Sequence, residues 1–69
     1  VKNLTIELEL EDDGRWIAEI AALPGALAYG TSREEAISRA EALAFRVLAE
    51  RLENGEPVPE VGFLFAVAG

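Results

Sequence analysis

Residues 4–10, LTIELEL, alternate without a break. Leu4, Ile6, Leu8 and Leu10 point one way, and Thr5, Glu7 and Glu9 the other. A period of two over seven residues predicts a strand with one buried face. Residues 15–20, RWIAEI, read as its return strand, and the DDG between them is a hairpin signal. Two loop lengths are possible. A two-residue Asp13-Gly14 loop would set Leu8 opposite Glu19 on the inner face. A three-residue Asp12-Asp13-Gly14 loop pairs Leu10 with Trp16, Leu8 with Ala18 and Ile6 with Ile20, and sets Glu11 opposite Arg15. A one-residue slip turns every side chain over, so the register with the apolar inner face wins. It places Gly14 at the left-handed position of the loop.

Leu23-Pro24-Gly25 is a turn, with Pro24-Gly25 suited to the centre of type II because proline fixes φ and glycine accepts a positive one. Ala26–Tyr29 form a short third strand, which Gly30 ends. Thr31 or Ser32 then caps a helix. Each has a Glu three residues on, Glu34 and Glu35 respectively, and either makes a capping box. Ala36, Ile37, Ala40, Leu43, Ala44, Val47, Leu48 and Leu52 follow as one helical stripe. Phe45 falls outside it. Glu35 with Arg39, and Arg46 with Glu50, are spaced to pair on the wet side. Asn54-Gly55 and then Pro57 and Pro59 stop the helix. Residues 61–68, VGFLFAVA, predict a last strand with both faces apolar: Phe63, Phe65 and Val67 on one, Leu64, Ala66 and Ala68 on the other.

The expected fold is therefore α+β, in the order β-β-β-α-β. An antiparallel three-stranded meander carries one helix on one face, and a right-handed crossover lays the fourth strand parallel to the first. Residues 1–69 form a single domain. A one-helix sheet covers only one face, so one set of the C-terminal apolar residues is left for a partner.

Composition narrows the possibilities. With 69 residues the core is marginal, and chains this small lean on disulfides, metals or partner subunits. Cys, His and Met are all absent, which removes disulfides and the nitrogen and sulfur metal ligands and leaves packing or oligomerisation. The lack of Cys is compatible with the cytoplasm. No apolar run is long enough to span a membrane. The net charge is −7, and the first 20 residues hold six acids against two bases. An acidic hairpin repels nucleic acid and complements a basic protein.

Chemistry is scarce. Gly25 to Gly30 before a helix invites a phosphate-loop reading, but there is no GxGxxG and no Walker lysine, and Glu34 and Glu35 stand where an anion would go. Asp12 and Asp13 are turn residues, and the alternating Glu are the wet face of a sheet rather than a metal centre. Thr31 and Ser32 have no His to activate them. The chain reads as a non-enzyme without cofactor or metal.

The succession Gly14-x-Trp16-x-Ala18, then Leu23-Pro24-Gly25, then Gly30-Thr31-Ser32 and Glu34-Glu35-Ala36 resembles the HicB-like antitoxin family. The resemblance runs from Leu4 to about Leu52. Ala21 departs from it, where the family often has proline. It implies a truncated RNase H-like fold in its stand-alone N-terminal form, without the C-terminal DNA-binding domain many members carry. It also implies a cytoplasmic role without direct nucleic-acid binding: masking a small basic HicA-type toxin that cleaves mRNA. Glu7, Glu9, Glu11, Glu19 and Ile17 are the expected partner-facing patch. Phe45, Phe63, Phe65 and Val67 are the expected contacts of a homo-oligomer. The alternative is a homo-oligomeric interaction module of the same fold with no toxin partner.

Overall fold

The computed structural model describes residues 4–59 and 65–69. Three strands, β1 (Glu7–Leu10), β2 (Trp16–Glu19) and β3 (Leu27–Gly30), precede one helix, α1 (Arg33–Glu53). The sheet order is β1-β2-β3, antiparallel throughout. The expected meander and helix are present. Of the expected fourth strand, Phe65–Ala68 lie outside any strand, and residues 61–64, Phe63 among them, lie outside the described residues.

The hairpin register follows from its turn. Leu8 faces Ala18 and Leu10 faces Trp16. The Gly14 amide donates to the Glu11 carbonyl at 3.0 Å, the Glu11 amide donates to the Arg15 carbonyl at 2.8 Å, and Gly14 takes φ +88°. This is the three-residue loop, which the left-handed glycine makes possible. Asp13 tightens it by accepting from the Arg15 amide at 3.1 Å and from its guanidinium at 2.8 Å. The Leu23–Ala26 turn closes with the Ala26 amide donating to the Leu23 carbonyl at 3.0 Å, and Gly25 at φ +95° marks it as type II. Its role is more than reversal. Leu23 is the largest fully buried side chain among the described residues, 1% exposed, so the turn drives a core residue inward.

Ser32, not Thr31, is the helix cap. Its Oγ accepts from the Glu35 amide at 3.1 Å. The Glu35 carboxylate reaches back one residue beyond the cap and accepts from the Thr31 amide at 2.7 Å and from the Thr31 hydroxyl at 3.2 Å. These bonds to its charged form hold the Glu35 carboxyl below its ordinary range, with Arg39 adding to the effect. At the other end the Glu56 amide donates to the Arg51 carbonyl and the Gly55 amide to that of Leu52, with Gly55 at φ +75°. That pair of bonds is a Schellman stop.

The core has two parts. Near the β3–α1 junction it is built of small residues: Ala18 and Ala28 on the sheet meet Ala36 and Ala40 on the helix, with Trp16 half-buried beside them. Gly30 belongs to this close approach, since a Cβ there would lie 2.5 Å from the Ala36 amide nitrogen. Further along, Ala44 and Leu48 pack with larger residues, Ile20, Leu23 and Val58. Three expectations about the core change. Leu10, expected on the buried face of the first strand, is 56% exposed at the hairpin end. Leu52 is 52% exposed rather than on the buried stripe. Val58, between the two prolines that end the helix, is buried.

Candidate partner-binding surface

Alternation along the strands sends Leu8, Ala18 and Ala28 toward α1, and their neighbours away from it. Glu7 lies opposite Glu19, which lies opposite Leu27. In the next row Glu9 lies opposite Ile17, which lies opposite Tyr29. The face that the helix leaves uncovered therefore has three exposed carboxylates around a half-buried isoleucine, with Leu27 and Tyr29 completing one side. Glu7, Glu9, Ile17 and Glu19, all expected from the sequence, come together around one shallow depression of about 150 Å³. Small-molecule sites are usually about 300–1,000 Å³. A depression this small and shallow suits the surface of a protein better than a metabolite.

Glu11, the fifth expected residue, sits at the hairpin end, half-buried and past the last paired row of β1. Leu27 and Tyr29 were not expected from the sequence. The signal was present in the alternation of Ala26 and Ala28 with Leu27 and Tyr29, but it needed the β2–β3 register to place them beside Ile17. Tyr29 also carries the Arg15 guanidinium, 4.6 Å from its ring centroid. Arg15 lies on this face too, held by Asp13 and stacked on Tyr29, and it forms no ion pair with Glu7, Glu9 or Glu19 among the described residues.

The electrostatics of the face are unfavourable in the free chain. Like charges directly opposite on neighbouring strands repel. Glu7 and Glu19 occupy such a pair, and neither enters an ion pair among the described residues. Arg46 and Glu50, expected to pair, do not do so among the described residues, whereas Glu35 and Arg39 approach to 3.6 Å. Arg39 also donates to the Tyr29 carbonyl at 3.0 Å, which ties the helix to β3. Asp13 is held below its ordinary range chiefly by the Arg15 amide.

Among the described residues no cluster of three or more acids is close enough to hold a metal ion. Among the same residues no helix is long and apolar enough to cross a membrane. The residues expected at an oligomer contact lie elsewhere. Phe45 is on the helix at 66% exposure, and Phe65 and Val67 are exposed near the C-terminus. Comparison of the chain with family models, with curated proteins and with solved structures gave no significant match.

Proposed function

We propose that the protein is a binding module of the HicB-like antitoxin type, which masks a small basic toxin through the outer face of its sheet. The observation that carries this reading is the uncovered face itself, where Glu7, Glu9 and Glu19 surround Ile17 and none of the three carboxylates enters an ion pair among the described residues. Carboxylates so placed repel one another in the free chain. A cationic partner supplies the missing counter-charge and takes up the apolar centre. An acidic surface of this kind offers carboxylates where a nuclease toxin would bind RNA phosphates, so occupancy alone blocks the toxin. In this reading the protein catalyses nothing, needs no cofactor, does not bind nucleic acid directly and works in the cytoplasm. A fourth strand would then add beside β1, whose outer edge carries no partner among the described residues. That addition would complete the truncated RNase H-like sheet.

The test is co-expression with any short basic protein found to be encoded beside this gene, followed by pull-down at low salt. Complex formation that weakens as salt rises supports the proposal. Reversing Glu7, Glu9 and Glu19 to Lys together is expected to slow association by roughly 10–10³-fold, the range over which charge steers encounters. A neighbour that fails to bind at low salt, or a complex indifferent to these reversals, refutes it.

A further inference from the structure

Helix α1 carries a second line of small and apolar residues besides the one it buries. Ala36, Ala40, Ala44 and Leu48 face the sheet. Ser38, Ala42, Phe45, Ala49 and Leu52 are all exposed. Their spacing is four, three, four, three, which is the seam of a two-stranded coiled coil. At 3.6 residues per turn this line lies about 140° around the helix from the buried one, turned away from the sheet. Single exposed apolar residues need no explanation. Here Phe45 at 66% and Leu52 at 52% exposure stand in register with small residues that let a second helix approach.

The flanking charges identify the occupant. Glu34 and Glu41 border one side of the line, and Arg39 and Arg46 the other; of the two bases Arg39 is tied to Glu35 and the Tyr29 carbonyl, which leaves Arg46 for a partner. Each Glu precedes an Arg by five residues, the offset at which flanking positions of two parallel helices meet. Glu41 and Arg46, on either side of Phe45, form no ion pair among the described residues. An antiparallel pair centred on Phe45 would instead set Arg46 against its own copy.

We infer that α1 is a homodimerisation helix. A second copy of the chain lies parallel along Ser38–Leu52, Phe45 packs on the partner subunit's Phe45, and Glu41 meets the partner subunit's Arg46. The interface supplies burial that a core built largely of alanine lacks. It also leaves both acidic sheet faces turned outward, so the dimer would present two equivalent partner surfaces. The inference rests on the helix alone and stands whether or not a toxin exists.

Sedimentation of the full chain from micromolar to sub-millimolar concentration should show a monomer–dimer equilibrium. Phe45→Glu should abolish it while the circular dichroism spectrum of the monomer is unchanged. Arg46→Glu and Glu41→Arg should each weaken the dimer roughly tenfold, as two exposed pairs turn from attraction to repulsion. Mixing the two variants should restore it, a readout that survives even if Phe45→Glu fails to fold. The chain has no cysteine, so oxidised Ser38→Cys should cross-link only to itself across the parallel seam. A monomer at every concentration overturns the inference. So does a dimer that depends on Phe65 and Val67 instead of Phe45, or cross-linking confined to mixtures of Ser38→Cys with Leu52→Cys.

Discussion

Replacing Gly30 by Ala tests how tightly the helix start is seated on the sheet. Gly30 has no positive φ, so alanine is conformationally acceptable there. By itself the change should stabilise by about 0.4–1 kcal/mol through a less flexible unfolded chain. Packing opposes this. The added Cβ would lie 2.5 Å from the Ala36 nitrogen, 3.0 Å from the Ala36 Cα and 3.0 Å from the Glu35 carbonyl carbon. All three atoms are helix backbone, which has no rotamer by which to yield. Overpacking of this kind costs about 1–3 kcal/mol, and with three rigid backbone atoms in the way the clash outweighs the entropic gain, for a net loss of about 1.3 kcal/mol at mid-range. For a chain this short each kcal/mol lowers the melting midpoint by about 4–8 °C. Urea unfolding followed by circular dichroism gives the loss. Amide exchange locates it, because the Ala36 amide, which donates to the Ser32 carbonyl at 3.1 Å, should lose protection while the Gly55 end keeps its own. Gly14 is the control, with φ +88° and nothing within 4 Å of the place a Cβ would occupy. There alanine costs about 1–2 kcal/mol by left-handed strain alone and leaves the first helical turn protected. A Gly30→Ala protein as stable as the parent, or one whose first turn exchanges no faster, would refute the reasoning.

Leu23→Ala should cost about 2–5 kcal/mol. That is comparable with the whole stability expected of so short a chain, about 3–10 kcal/mol. Its melting curve should lose cooperativity, and an unchanged midpoint would show that the Leu-Pro-Gly turn does not anchor the core. Glu35 and Asp13 both have folded pKa values below their ordinary 4.5 and 3.8. Their contributions are fully present above those values and disappear as pH falls through the lower folded ones. The melting temperature of Glu35→Gln should therefore differ from the parent near neutrality and converge on it in acid. A difference that stays constant from neutral pH to well below pH 4.5 would show that Glu35 titrates alike in both states.

Local chemistry makes much of this fold legible in the sequence. The Asp12-Asp13-Gly14 loop sets the register of β1 on β2, because only one loop length keeps Glu19 away from Leu8. The helix termini are legible for the same reason: capping and stop signals act within a few residues. Four of the five expected partner-facing residues also come together, because alternation and register suffice to share out the faces of a hairpin. Ser32 takes the cap over Thr31, a choice the sequence leaves open because each has a suitably placed Glu.

Burial at the far end of the helix could not be read this way. A 21-residue helix is about 31 Å long, whereas four-residue strands span about 13 Å. The helix overhangs the sheet, so Leu52 keeps its apolar periodicity but stays 52% exposed, while Val58 packs with Leu48. Gly30 likewise looks like a strand end in the sequence, and only the seating of the helix shows that a side chain has no room there. Sequence alone determined the first three strands and the helix, their order, the hairpin register and the acidic character of one face, since each depends on neighbours along the chain. Tertiary structure decided which apolar residues are covered, how closely the layers meet, and that Leu27 and Tyr29 join Ile17, because those depend on lengths and contacts between segments far apart in the chain.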